Sequence, residues 1–414
     1  MQVNRVILWL MVILLLFGPL VAPVYARQVP DLSDQIDTYL TRVEKERGLD
    51  AAVLVALSDE VILRRGYGLA DEATRAPFSA ETAVGVASIS KQFTAAAIMR
   101  LVDQGKLSVT DTLGEYFPDV PADKAGITLH QLLTHTSGLK SDHMESDLDP
   151  LTKQNALERI FSAPLQSKPG AAFSYSNSGY TLLAAVVEEV SGQEHDTFLQ
   201  NQFFIPLGMK STGNWADPRF DSLPAATGYM NGETSGPLNQ LAGPYWTVVG
   251  NGGIVSTVDD MLTWFQALYS GKVLSPESTR AIFTSYTTDK GQILEYGYGW
   301  EVSELEQLGR LITHNGGGLT GNSILSYYPD LSLTIILLGN RITYQVLGPL
   351  PLVIELPADE TSREIARGVN SGYFSTTPRM TFFIYPYLGV LIGILVSMIV
   401  MIVWLKRRQT IKKL

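Results

Sequence analysis

The chain of 414 residues contains no cysteine, which excludes disulfides, thiolate metal sites and a thiol nucleophile together. Histidine is scarce, at five, and no His-Glu-x-x-His or comparable paired spacing occurs. A metal centre is therefore not expected, and no cofactor is implied. Positive charge is in deficit: 31 Lys and Arg stand against 41 Asp and Glu, a net −10. One positive charge falls in the first 26 residues and five in the last nine, so the stretch between carries about −16. Phosphate binding needs a basic face, so nucleic acid is not an expected partner. Internal repeats and low-complexity blocks are also missing.

What is present is most legible at the two ends. Arg5 precedes an apolar run from Val6 to Val21, broken by Pro19, and Val24-Tyr25-Ala26 offers a small-x-small cleavage pattern. Residues 1–26 read as a signal peptide removed after Ala26, with an uncleaved anchor as the alternative. Phe382 to Leu405 then holds 24 residues without a charge. At about 1.5 Å per residue it reaches about 36 Å, enough for a hydrocarbon core of about 30 Å. Lys406, Arg407, Arg408, Lys412 and Lys413 follow directly, so the run reads as a transmembrane helix with the 406–414 tail in the cytoplasm. Tyr385 and Tyr387 would sit at the interface. The expectation is a single-pass membrane protein whose bulk, residues 27–356, lies on the extracytoplasmic side. Residues 357–381, poor in apolar periodicity, read as a stalk.

Within the outer part, Ile36, Tyr39, Leu40 and Val43 give Leu32 to Arg47 the spacing of an amphipathic helix. Val53–Leu57 and Val61–Tyr67 read as a hairpin turning at Ser58-Asp59-Glu60. Leu311–Thr313, Ile324–Tyr328 and Leu333–Leu338 read as three further strands, with Pro329-Asp330 turning the last pair. Strands at both ends and helical patterns between them predict one mixed sheet with a mostly helical insertion.

Three short stretches carry the residue types of nucleophilic catalysis. In Ser88-Ile89-Ser90-Lys91 an amine stands one helical turn beyond a hydroxyl, which is a poor nucleophile until a base takes its proton. Ser137-Gly138-Leu139-Lys140 repeats the pattern. Ser88, however, leads into Phe93, Ala96, Ala97, Met99 and Leu101 with helical periodicity, whereas Ser137 runs into a turn. A helix N-terminus favours developing negative charge, which selects Ser88. Tyr175-Ser176-Asn177 precedes a helical pattern from about Tyr180 to Val190. A phenol serves as base only where a cation such as Lys91 favours its anion, and Asn177 is suited to holding a substrate amide. Tyr229-Met230-Asn231 is a second, chance occurrence. His314-Asn315-Gly316-Gly317 ends a strand, where glycines admit a substrate backbone and a strand N–H can meet an oxyanion. Standing alone, His314 would more often be a hydrogen-bonded structural residue.

The ordered set Ser88-x-x-Lys91, Tyr175-x-Asn177 and His314-x-Gly316 resembles the active-site motifs of the class C β-lactamase and D-alanyl-D-alanine carboxypeptidase family, the serine peptidases of family S12. Ile127–Leu139, Phe173–Tyr180, Gly252–Ser256 with Asp260, and Tyr296–Trp300 continue the likeness, over about residues 32–350. The resemblance implies an antiparallel sheet flanked by helices, with a helical lobe and a cleft between. It implies a serine hydrolase in which Ser88 attacks a carbonyl to give an acyl-enzyme, Lys91 and Tyr175 pass its proton to the leaving group, and the N–H groups of Ser88 and Gly317 form the oxyanion hole. Asn177, His314, Gly316 and Gly317 would line the substrate, a small molecule or peptide carrying an amide or ester. D-amino-acid peptides and β-lactams are the implied substrates, a carboxylesterase the close alternative, and a slowly turning-over penicillin-binding or sensory module the alternative from another class. Histidine stands where β-lactamases resemble Lys-Thr-Gly. The permanent cation that would hold a substrate carboxylate is therefore missing.

Overall fold

Seven residues without a polar side chain, Ala51–Leu57 (β1), form a strand buried on both faces. Ala52, Leu54 and Ala56 enter one core, and Ala51, Val53 and Val55 enter another. Period-2 alternation between two apolar environments is why this strand reads as an unbroken apolar run. The computed structural model describes residues 31–374, apart from 216, 244, 320, 343–344, 348–349, 353–357 and 373.

Around β1 stand β2 (Glu60–Tyr67), β3 (Glu301–Leu305), β4 (Gly309–Gly318), β5 (Gly321–Tyr328) and β6 (Leu333–Gly339). They form a sheet in the order β3-β4-β5-β6-β1-β2, every neighbouring pair antiparallel. The predicted hairpin and the three predicted C-terminal strands are all present, the latter longer than the sequence suggested. The central pair, β1 with β6, joins residues 51–57 to residues 333–339. Everything between β2 and β3 is an insertion on one face of the sheet. Its main helices are α2 (Lys91–Asp103), α3 (Asn177–Ser191) and α4 (Val258–Tyr269), with shorter ones at Leu129–Leu133 and Lys153–Ser162. The helix before β1, α1 (Leu32–Arg47), covers the opposite face through Ile36, Tyr39, Leu40 and Val43.

The larger core joins α2, α3 and α4 to the sheet. Phe93, Trp264, Phe203 and Phe204 pack as one aromatic cluster, with ring centroids of 4.5 Å for Phe93–Trp264 and 5.1 Å for Phe93–Phe204. Each such side chain contributes about 1.5–3 kcal/mol by burial. This clamps α2, and with it Lys91, against the sheet.

The stalk reading is corrected over part of its length. Ala358–Ser371 is a helix (α5) whose Ala358, Ile365 and Ala366 join the α1 core. Glu360, Thr361, Ser362 and Glu364 are also buried there, so its packing face is largely polar and escaped an apolar-periodicity reading. Residues 375–381 lie outside the described residues, as do the signal-peptide reading 1–26, the transmembrane reading 382–405 and the tail 406–414. Among the described residues no helix is long and apolar enough to cross a membrane.

Candidate active site

The nucleophile candidate sits at a strained corner. Ala87 adopts φ +46°, in a region unfavourable for a residue with a Cβ. It opens a single 3-10 turn, Ala87–Ser90, that runs into α2. Ser88 is thus one turn ahead of the α-helix proper, half-buried, with Lys91 at the first helical position. Strand β4 passes close beside this turn. A Cβ on Gly316 would lie 2.2 Å from the Val86 carbonyl oxygen and 3.1 Å from the Ser88 nitrogen, so only glycine fits there. Pairing of β3 with β4 ends at Glu301 opposite Thr313. Beyond that point β4 keeps one edge free of a strand neighbour among the described residues, and Gly317 on it is exposed.

Lys91 is the centre of the arrangement. It is 0% exposed, and its Nζ has three oxygen neighbours: Ser88 Oγ at 3.1 Å, Asn177 Oδ1 at 2.7 Å and the Asn251 carbonyl at 2.9 Å. Burial pushes its pKa down to about 7, against the opposing pull of Asp142 and Asp147. A neutral amine has two N–H bonds and one lone pair. The Asn251 carbonyl can only accept. The Asn177 amide is oriented by its own Nδ2–H, which donates to Asp142 at 2.6 Å, so Oδ1 faces the lysine and accepts. Both N–H bonds are therefore engaged, and the lone pair is left for the Ser88 hydroxyl.

Tyr175 completes the group. Lys91 Nζ stands 4.8 Å from the centre of its ring, and the neighbouring Ser88 hydroxyl acts to lower the pKa of its phenol. Burial raises the phenol well above its ordinary value, so Tyr175 is a neutral hydroxyl at pH 7. Lys91, and not a tyrosinate, is the group with a lone pair available at that pH. Ser176 caps α3 by accepting from Gly179 N–H at 3.1 Å.

His135 clamps this segment. Its carbonyl accepts from Ser174 N–H at 2.8 Å, and its Nδ1 accepts from Ser176 N–H at 3.0 Å, so it holds the residues on both sides of Tyr175. Its ring lies 4.2 Å from that of Tyr175, and its φ of +57° is a second strained position. Burial lowers its pKa far below the ordinary value, which keeps Nδ1 unprotonated and able to accept.

His314 lies on the same strand face as Gly316 but does not reach the open cleft. It is 1% exposed. Its Nδ1 donates to the Asn315 carbonyl at 2.6 Å, and its Nε2 accepts from the Tyr296 hydroxyl at 2.9 Å. Burial, then the nearby Lys91, push its pKa down to about 3. It is a neutral ring under Tyr296, with no charge to offer a carboxylate. Ser88, Lys91, Tyr175, Asn177, Gly316 and Gly317 meet at one place. Ser137 does not: it is 1% exposed in the turn before Gly138, while Lys140 is exposed. Tyr229 lies elsewhere, its hydroxyl accepting from Glu72 N–H at 2.8 Å. Sequence reasoning missed Asp142, His135 and the Asn251 carbonyl, although His135 and the glycines after Asn251 lie in stretches that carry the family likeness. Among the described residues no group of acidic or histidine side chains is arranged to hold a metal.

A family model described as Beta-lactamase matches residues 36–346. The chain belongs to the beta-lactamase family. It is similar to penicillin-binding protein 4* of Bacillus subtilis (strain 168), at 26% identity over 82% of this chain and 81% of that one. The putative penicillin-binding protein PbpX of the same organism is 30% identical over 75% of this chain and 74% of the relative. Among solved structures, EstCE1, a hydrolase with promiscuous acyltransferase activity, superposes with a TM-score of 0.68 over 82% of this chain and 98% of its own, at 23% identity. That likeness shows the fold: an antiparallel sheet with a helical lobe. As a member of the beta-lactamase family the protein is a serine hydrolase.

Proposed function

We propose that the protein is a membrane-anchored hydrolase working outside the cytoplasm, cleaving amide or ester bonds of small molecules or peptides through an acyl-enzyme on Ser88. One observation carries the catalytic part: the buried Lys91 Nζ lies 3.1 Å from Ser88 Oγ, with Asn177 Oδ1 at 2.7 Å and the Asn251 carbonyl at 2.9 Å to engage its N–H bonds. In the first step Lys91 takes the hydroxyl proton as Ser88 Oγ bonds to the carbonyl carbon, and the carbonyl oxygen becomes an oxyanion. The N–H groups of Ser88 and Gly317 are the donors suited to it. Collapse breaks the bond to the leaving amine or alcohol, which receives the proton through the Tyr175 hydroxyl. Water then attacks the acyl ester with Lys91 again as base, releasing the acid and restoring Ser88. Asn177 orients both the substrate amide and the lysine. His314 acts from behind, as a neutral support of Tyr296.

D-amino-acid peptides and β-lactams remain within the substrate range of this chemistry. The uncharged His314 favours an amidase or carboxylesterase over a lactamase, because no fixed cation meets a substrate carboxylate at that strand. The test treats detergent-solubilised full-length protein with a fluorophosphonate and with a fluorescent penicillin, and follows the intact mass. A fluorophosphonate adduct on Ser88 is expected; an unlabelled Ser88 removes the mechanism. A penicillin adduct that persists would identify an acyl trap, and a transient one a lactamase.

The anchor rests on the uncharged run 382–405, the basic residues after it and the leader-like 1–26. A chain without cysteine makes its test simple. Single cysteines placed at Thr410 and at Asp119 should react with a membrane-impermeant maleimide in intact cells at Asp119 only. Reaction at Thr410 would reverse the topology.

A further inference from the structure

Resting on the acyl-enzyme reading above, we propose that Asp359 is a positioning residue for the oxyanion donor: through its hydrogen bond to Asn315, helix α5 holds the free edge of β4 so that the Gly317 N–H meets the carbonyl oxygen of a substrate on Ser88. Strand β4 needs such a hold. Beyond Thr313, among the described residues, it is paired to β5 alone, with Asn315 opposite Ile324 and Gly317 opposite Asn322. It ends in Gly316, Gly317 and Gly318, and glycine brings neither a side chain to pack nor conformational restraint. Side chains on a strand alternate between its faces. His314 points into the lobe, where the Tyr296 hydroxyl donates to its Nε2 at 2.9 Å. Asn315 points to the opposite face, where its Nδ2–H donates to Asp359 Oδ2 at 3.2 Å. The strand is thus gripped from both sides at adjacent residues. Residues two apart on a strand turn their N–H groups to the same edge, so fixing Asn315 fixes the edge on which Gly317 presents its own.

Asp359 lies in the first turn of α5, where the helix dipole favours an acid. The dipole alone would leave the carboxylate in water. Instead the residue is half-buried, and burial raises its pKa while the Arg363 charge and the Asn315 hydrogen bond pull the other way. Glu301, opposite Thr313 on the same face, feels the strain: burial, then the Asp359 charge, push its carboxyl up to about 7. A carboxylate kept beside a second acid costs stability that an apolar residue would not. What it supplies is an acceptor for Asn315. The helix itself is docked by other contacts. Ala358, Ile365 and Ala366 enter the α1 core, the Ser362 and Tyr328 hydroxyls lie 3.3 Å apart, and Arg47 on α1 reaches Glu360 at 3.5 Å. Removing the Asp359 carboxylate leaves these contacts in place and releases the strand.

The test compares p-nitrophenyl acetate with its thiono analogue, whose sulfur is a weak hydrogen-bond acceptor, on the detergent-solubilised full-length protein. A well-placed oxyanion donor favours the oxygen ester, so misplacing it costs that ester more. Asp359→Ala is expected to lower kcat/KM for the oxygen ester by about 10-fold or more, and to shrink the preference for oxygen over sulfur at least about 5-fold. Asn315→Ala should do the same, and the double variant should lose nothing further. Asp359→Asn, whose Oδ1 still accepts from Asn315, should restore the wild-type preference. A merely structural role would reduce the active fraction and slow both esters alike. An unchanged preference in Asp359→Ala, or losses that add in the double variant, overturns the proposal. Fluorophosphonate labelling of the same samples separates the two claims. An unlabelled wild-type Ser88 takes the acyl-enzyme reading and this inference together, whereas normal labelling with an unchanged preference removes this inference alone.

Discussion

The same four-residue pattern occurs twice, and its two copies have opposite physical characters. Ser88-x-x-Lys91 presents a half-buried hydroxyl to a fully enclosed amine with three oxygen neighbours. Ser137-x-x-Lys140 does the reverse, enclosing the hydroxyl and leaving the amine in water. Enclosure is what matters, because it lowers the cost of the neutral amine and so creates a base near neutral pH. A lysine in water keeps its proton and activates nothing. The spacing brings an amine within reach of a hydroxyl; the lobe packed around Lys91 decides what that amine is.

This contrast can be broken in several ways. Ser88→Ala should remove turnover by at least about 10³-fold and abolish fluorophosphonate labelling, as loss of a nucleophile does elsewhere; retained labelling would transfer the role. Lys91→Arg substitutes a cation that cannot lose its proton, and should cost nearly as much in kcat. Tyr175→Phe should lower kcat/KM by about 10²-fold while labelling still proceeds slowly, consistent with loss of one proton-transfer group. In wild-type protein kcat/KM should rise with pH through about 7, as Lys91 loses its proton. Burial also pushes the Glu301 carboxyl up to about 7, so the limb must persist in Glu301→Gln to belong to Lys91. The Asp142 charge holds Lys91 up, so Asp142→Asn, which can still accept from Asn177, should shift that limb to lower pH. Smallest of all, Ser137→Ala and Lys140→Ala should each stay within about 3-fold of wild type. A large loss in either would mean that the second copy is not idle.

The sign of the stability effect follows from the same group. The folded protein disfavours the Lys91 ammonium, so its folded pKa of about 7 lies below the ordinary 10.5. Below pH 7 the penalty is fully present. It is relieved as pH rises toward 10.5, where the unfolded chain holds the proton and the folded one does not.

Much of this was legible because it is local. Helix α1 has the bounds that its Ile36, Tyr39, Leu40, Val43 spacing predicts, and the β1–β2 hairpin follows from its apolar run and its polar turn. Each active-site motif is short enough for sequence spacing to state geometry. What connects the motifs is not local. Asp142 meets Asn177 35 positions away, and the Asn251 carbonyl meets Lys91 across 160, with no pattern to mark either. The His314 ring was readable as a strand residue, but the Tyr296 hydroxyl that encloses it comes from a separate loop. Helix α5 was missed for a different reason: it packs through Glu360, Thr361, Ser362 and Glu364 as much as through Ile365. A polar packing face defeats a search for apolar stripes.

The pairing of β1 with β6 sets the timing of the protein's birth. Residues 51–57 leave the ribosome early, yet their partner at 333–339 comes some 280 positions later. Until then the strand, apolar on both sides, has only β2 beside it, and such long-range closures are slow and prone to aggregation. The sheet closes only after nearly the whole domain has been synthesised. Damage to β6 should therefore appear as lost yield before it appears as lost activity.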